Sequence, residues 1–111
     1  MAQRLPNYLR TFRKRAYLTQ DEMAFLLGTA SGTRVSRYEQ FRREPALDTA
    51  LAYGIIFAAS NEELFAGLYE RIEEGVLERA GRLVARIEAR RLDPVARQKL
   101  ASLRAISERN R

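Results

Sequence analysis

The sequence predicts an all-α fold, and three observations lead to that class. Glycine and proline are few, at 6 and 3 of the 111 residues. No stretch alternates apolar and polar residues over a length that would predict a sheet. Apolar side chains recur instead every three or four positions, which is the spacing of one helix face. With 46% hydrophobic residues, a chain of this length can form one small globular domain with an appendage.

The first predicted helix lies near the N-terminus. Pro6 suits the first turn of a helix, because the amide hydrogen that proline lacks has no partner there. The apolar residues that mark this helix are Leu5, Tyr8, Leu9, Phe12 and Ala16.

Two short helices with a turn between them are predicted next. Thr19 and Glu22 have the spacing of a capping box, so a second helix begins at Gln20. Gly28 suits the left-handed residue that ends a helix. Ser31 is a natural N-cap for a third helix, from residue 32 to about residue 41. The apolar residues that support these helices are Met23, Ala24, Leu26 and Leu27 in the second, and Val35 and Tyr38 in the third.

A fourth and a fifth helix complete the predicted domain, which spans residues 1–67. The fourth helix follows Pro45 and is marked by Leu47, Leu51, Ile55 and Ile56. Ser60 is the N-cap candidate of the fifth helix, and Glu62 and Glu63 in its first turn suit the helix dipole. Leu64, Phe65 and Leu68 are expected to return to the core.

Residues 68–111 are predicted to form an amphipathic helical extension. Asp93 and Pro94 divide it into two helices, as N-cap and first helical residue of the second. A hairpin this thin buries little apolar surface alone, so we expect it to pair with a second copy or a partner protein. The alternative is that it folds back on its own domain. The apolar seam, at nearly coiled-coil spacing, comprises Ile72, Val76, Ala80, Leu83, Ile87, Leu100 and Leu103.

Composition and charge narrow the classes of function. The formal net charge is +6, which favours a polyanionic partner. Residues 1–66 carry nine Lys and Arg against seven Asp and Glu, whereas residues 67–111 carry eleven against seven. Much of the excess therefore lies outside the predicted domain. The chain has neither cysteine nor histidine, which excludes disulfides, thiolate chemistry and the commonest zinc ligands. We expect no metal and no cofactor.

Four motifs in order along residues 5–66 resemble those of the XRE-type helix-turn-helix family, which includes the lambda-like phage repressors and Cro. They are L-R-T-F-R-K-R-A before L-T-Q-D-E-M-A, then V-S-R-Y-E, R-R-E-P and E-E-L-F. The resemblance implies a five-helix lambda-repressor-like domain that inserts its third helix into the DNA major groove. This chain departs from the family pattern at Tyr17 and Phe41, where the family usually has glycine, and its turn at residues 29–30 is one residue longer.

The resemblance also implies roles for individual residues. Arginine reads guanine through paired hydrogen bonds, which discriminate by about 1–3 kcal/mol. The expected base-reading positions are Gly32, Thr33, Arg34 and Arg37, and glycine there contributes only close backbone approach. The expected phosphate contacts are Gln20, Ser36, Arg42 and Arg43. Arg13 and Glu39 are expected to form a partly buried ion pair that holds the first helix to the third.

The favoured function is that of a sequence-specific transcriptional regulator of double-stranded DNA, and repression is favoured over activation. A homodimer would bind a roughly palindromic operator. The alternative is an antitoxin-type protein that binds a partner protein through its C-terminal helices. Catalysis is not expected, because neighbouring carboxylates on a helix point in different directions and no glycine-rich phosphate loop is present. No N-terminal apolar run or long apolar stretch predicts a signal peptide or a membrane span, so we expect a cytoplasmic protein without a membrane partner.

Overall fold

The computed structural model describes residues 4–109, and these residues form seven α-helices and no strand. The all-α prediction is therefore confirmed. No helix of the described residues is both long enough and apolar enough to cross a membrane. The helices are α1 (Leu9–Arg15), α2 (Gln20–Leu27), α3 (Gly32–Glu39), α4 (Leu47–Phe57), α5 (Asn61–Leu64), α6 (Ala66–Glu88) and α7 (Pro94–Arg109).

The chain divides into two compact units, with the boundary between Glu70 and Arg71. This boundary lies within α6, whereas the sequence analysis placed it at residues 67–68. In the first unit, α2 packs against α3 and α4, and α1 contacts α3. Their buried side chains form one core, which consists of Leu9, Met23, Ala24, Val35, Tyr38, Tyr53, Leu64 and Phe65.

The prediction for the start of the first helix was wrong. α1 begins at Leu9, and residues 4–8 are not helical. The backbone carbonyls of Leu5 and Pro6 accept hydrogen bonds from the amides of Gly67 and Leu68, at 2.9 and 3.2 Å. Carbonyls used in this way are not available to a first helical turn. Pro6 therefore precedes the helix instead of opening it.

The same hydrogen bonds shorten the fifth helix. Ser60 and Glu63 form a capping box at its start, but α5 has only four residues and α6 begins at Ala66. Leu68 therefore belongs to α6. Gly67 permits this close crossing, since a Cβ at that position would collide with the carbonyl oxygen of Leu5. The N-terminal segment thus separates two helices that a continuous apolar pattern does not distinguish.

The predicted end of α2 is confirmed, whereas α3 ends two residues earlier than predicted. The capping box of Thr19 and Glu22 is present at the start of α2, and Gly28 ends that helix with a φ of 72°. The Thr19 amide and hydroxyl hold the pKa of the Glu22 carboxyl below its ordinary value. α3, however, ends at Glu39 and does not reach Phe41.

Two aromatic residues adopt the left-handed backbone conformation that favours glycine. Tyr17, just after α1, has a φ of 60°, and Phe41, just after α3, has a φ of 64°. The Phe41 amide donates to the Tyr38 carbonyl, and the Arg42 amide donates to the Arg37 carbonyl at 3.0 Å. These bonds terminate α3 in spite of the missing glycine.

One face of α4 carries apolar residues that the core does not use. Tyr53 is fully buried, and Ile56 and Phe57 pack against the core. The exposed residues Leu47, Leu51 and Ile55 recur every four positions on the same helix. α4 is therefore apolar on two faces, and of the residues that marked it in the sequence only Ile56 packs against the core.

The second unit contains the rest of α6 and all of α7. The amide of Ala96 donates to the Asp93 carboxylate at 2.7 Å, so the predicted N-cap of the last helix is confirmed. Ala80 and Leu100 are its buried apolar residues. Side chains of both helices line a shared groove.

Candidate nucleic-acid interface

The junction between α2 and α3 depends on a contact between Asp21 and Gly32. The Asp21 carboxylate accepts a hydrogen bond from the Gly32 amide at 3.2 Å. Ser31 is the N-cap residue of α3 by position, but its side chain makes no capping bond. The carboxylate from the neighbouring helix therefore satisfies one of the free amides at the start of α3. It also places negative charge at the positive end of the helix dipole.

Gly32 lies where two helices cross closely. It is buried, and a Cβ at this position would overlap the Asp21 carboxylate and lie 3.2 Å from the Asp21 amide nitrogen. The sequence analysis placed Gly32 among the base-reading positions. The structure gives it a packing role, because its backbone faces α2.

Arg13 and Glu39 form the ion pair that joins α1 to α3. The Arg13 Nε and the Glu39 Oε2 are 2.6 Å apart, and a second arginine nitrogen donates to Oε1 at 3.0 Å. The two side chains are only 8% and 2% exposed. Arg13 also donates to the Leu18 carbonyl at 2.8 Å. The hydrogen bond to Glu39 raises the pKa of the Arg13 guanidinium.

The side chain of Gln20 completes this buried cluster. Its Nε2 donates to the Glu39 Oε1 at 3.2 Å, so in this structure the side chain contacts protein. The Ser36 hydroxyl accepts a hydrogen bond from the Gln40 side chain, also at 3.2 Å, and is half-buried. Both residues are candidate phosphate contacts, and both already have a protein partner.

Three of the candidate base-reading residues share the exposed surface of α3. Thr33, Arg34 and Arg37 are all exposed, whereas Val35, Tyr38 and Glu39 on the same helix are buried. An arginine fork on a helix surface can form paired hydrogen bonds with planar acceptors such as a guanine edge. This surface of α3 is therefore free to contact a ligand.

A shallow polar depression lies beside this surface, where the first turns of α2 and α3 meet. Free amides and helix dipoles make such helix starts favourable for anions. The Asp21 carboxylate also lines the depression and opposes an anion. Its lining consists of Arg13, Thr19, Gln20, Asp21, Gly32, Thr33 and Ser36.

Arg42 and Arg43 lie in the segment between α3 and α4. Both are exposed, and they follow Phe41, whose backbone is left-handed. An arginine at such a place can contact a phosphate without reading sequence. No group of three or more acidic side chains within residues 4–109 has a geometry that could hold a metal ion.

Asn7 is an important residue that the sequence analysis missed. It is buried, its side-chain amide donates to the Tyr38 carbonyl at 3.0 Å, and its carbonyl oxygen accepts from the Leu9 amide at 3.2 Å. Asparagine just before a helix is a common capping signal, so the second contact was detectable. The contact with Tyr38 spans 31 positions and depends on the tertiary fold.

Comparisons of the chain with protein-family models, curated proteins and solved structures gave no match.

Proposed function

We propose that this protein is a sequence-specific regulator of double-stranded DNA that acts as a dimer and represses transcription. In this proposal the first unit is a lambda-repressor-like helix-turn-helix domain, and α3 enters the major groove. The two recognition helices of a dimer would lie about one helical turn apart, roughly 34 Å, on a palindromic site. Neither a metal nor a cofactor has a part in it.

The observation that carries the proposal is the orientation of α3. Its apolar residues and Glu39 face the core, whereas Thr33, Arg34 and Arg37 face outward. The contact of Asp21 with Gly32 holds the start of this helix against α2. The buried pair of Arg13 and Glu39 holds its end to α1. Rigid attachment favours specificity, since base contacts need side chains at fixed positions.

The backbone at Tyr17 and Phe41 supports the proposed family. These are the two positions where the XRE-type family usually has glycine, and both adopt the left-handed conformation. A side chain at such a φ costs about 1 kcal/mol or more. A glycine at either position would adopt this backbone without that cost.

The test is a selection of bound sequences from random double-stranded DNA, with the wild type and Arg37→Ala. We expect the wild type to enrich a roughly palindromic site. Arg37→Ala should lose preference at one base pair of each half-site, by about 1–3 kcal/mol. Arg104→Ala is the matched control, because it removes the same charge from an exposed position on α7.

The outcomes of this selection separate the possibilities. If Arg37→Ala and Arg104→Ala weaken binding equally and keep the same motif, Arg37 reads no base. If the wild type enriches no sequence, the proposed function is wrong. An antitoxin-type role through the C-terminal helices would then be the remaining candidate.

A further inference from the structure

The second unit has an apolar strip that its own two helices do not cover. Ile72, Val76 and Leu83 are 54%, 40% and 42% exposed. Their spacing of four and seven residues places them on one side of α6. Ala80 and Leu100 are buried in the same unit, whereas this side of α6 is open. An open apolar strip of this kind marks an interaction surface.

The C-terminal part of this strip continues into the groove between α6 and α7. Leu83, Ile87 and Leu103 supply the apolar lining of the groove. Arg86 and Arg90 line it from the side of α6, and Lys99 lines it from α7. The groove therefore suits an apolar segment that also carries negative charge.

The first half of the α6 region carries the complementary charge. Residues 70–78 contain four glutamates and one arginine, a net charge of −3. Residues 79–90 contain four arginines and one glutamate, a net charge of +3. The centres of the two halves, near residues 74 and 85, are about 16 Å apart along a helix, because each residue rises 1.5 Å. This separation exceeds the Debye length of about 8 Å at physiological ionic strength, so the halves act as separate patches.

We propose that a second copy of this chain pairs with α6 in an antiparallel orientation and occupies this groove. Ile72 and Val76 of the second copy would lie opposite Ile87 and Leu83, and the two-fold axis would cross the open side of α6 at the level of residues 79–80. The acidic half of each α6 then lies beside the basic half of the other. A parallel pair would bring like charges together along both halves, which is unfavourable. This inference deepens the proposed function, because it supplies the dimer on which that function rests.

Symmetry favours a second copy over an unrelated protein. A two-fold interface requires a self-complementary surface, so that each contact is made twice. The exposed apolar pair with acidic neighbours lies on α6, and the apolar groove with cationic walls lies between α6 and α7, so the same unit carries both halves of such a surface. One antiparallel pairing covers both.

The chain has no cysteine, so disulfide trapping can determine the orientation. In the antiparallel pair, residues 76 of the two copies are about seven residues apart along the helix axis, or roughly 10 Å. A disulfide needs Cα atoms about 4.4–6.8 Å apart. We therefore expect no cross-linked dimer from Val76→Cys or Leu83→Cys alone, and a cross-linked dimer from the double variant. A dimer from either single variant would show a parallel pair and overturn the proposal.

Sedimentation of the full chain tests whether the pair forms and where. We expect a dimer, and we expect Leu83→Glu to raise its dissociation constant at least about tenfold. Leu51→Glu is the matched control, because Leu51 is equally apolar and 51% exposed, but lies on α4. If Leu51→Glu dissociates the dimer and Leu83→Glu does not, the interface is on α4 and the proposal is overturned.

Failure of this proposal can be told apart from failure of the proposed function. A monomeric chain that still enriches a DNA sequence would refute the pairing and leave the DNA-binding proposal intact. The groove would then be open to a protein of another kind. An antiparallel dimer that enriches no sequence would support the pairing and refute the function.

Discussion

The Asp21 carboxylate accepts a hydrogen bond from the Gly32 amide and fills the space that a side chain at position 32 would need. One residue of α2 thus caps α3 and also sets how closely the two helices approach. The position that opens the proposed recognition helix is therefore fixed by a contact from its neighbour.

Gly32→Ala should destabilise the first unit. The added Cβ would overlap the Asp21 side chain and would also lie 3.2 Å from two backbone atoms, at Asp21 and Gln20. Overpacking of this kind costs typically about 1–3 kcal/mol. Urea denaturation followed by circular dichroism measures the loss.

Gly81→Ala is the matched control for this substitution. Gly81 lies inside α6, and a Cβ added there would meet nothing within 4 Å beyond the backbone of its own helix. Alanine is favoured over glycine in a helix by about 1 kcal/mol, so this variant should be as stable as the wild type or more stable. Equal effects of the two substitutions would contradict the close contact at Gly32.

Arg13→Ala should cost several kcal/mol of unfolding free energy. The substitution leaves the Glu39 carboxylate buried without its guanidinium partner, and such losses amount to about 3–5 kcal/mol. Arg4→Ala removes the same residue type from an exposed pair, in which the Arg4 Nε and the Glu70 Oε2 are 3.8 Å apart. Exposed pairs contribute at most about 1 kcal/mol.

Chemical denaturation of these two arginine variants decides between a structural and a surface role for Arg13. A loss below about 1 kcal/mol for Arg13→Ala would show that solvent reaches Glu39. The double substitution Arg13→Met with Glu39→Met should recover much of the loss, because replacing both charges removes the unpaired one.

Tyr17→Gly should stabilise the protein by about 0.5–1 kcal/mol. The left-handed conformation is strained for tyrosine, and glycine relieves more strain than it adds in unfolded-state entropy. Because the tyrosine side chain is 93% exposed, little packing is lost. Thermal unfolding measures the gain, and Tyr17→Ala is the control that removes the ring but keeps the Cβ. If Tyr17→Ala raises the stability as much as Tyr17→Gly, the tyrosine ring causes the destabilisation and the left-handed backbone does not.

Arg42→Ala and Arg43→Ala should weaken DNA binding by a similar factor for every sequence. Each phosphate contact contributes about 0.9 to the slope of log affinity against log salt concentration on B-DNA. Fluorescence anisotropy titrations at several salt concentrations should therefore show a shallower slope for each variant, with the sequence preference kept. An unchanged slope would show that the substituted arginine makes no phosphate contact.

The sequence by itself determined those features that depend on neighbouring residues. The all-α class, the capping box at Thr19, the N-cap at Ser60, the left-handed Gly28 and the cap at Asp93 all arise from contacts within a few positions. Local hydrogen bonds and helix periodicity have the same meaning in any fold, so a pattern in the sequence was sufficient to find them.

The tertiary structure decided the features that join distant segments. The carbonyls of Leu5 and Pro6 are used by α6, which shortens α1 and separates α5 from α6. The contact between Gly32 and Asp21 depends on how α2 and α3 cross. The spacing of apolar residues along the sequence does not predict that crossing. The exposed apolar residues of α4 and α6 carry the same sequence signal as core residues. Only the packed chain shows which apolar face is covered, because burial is a property of the neighbours that a residue acquires on folding.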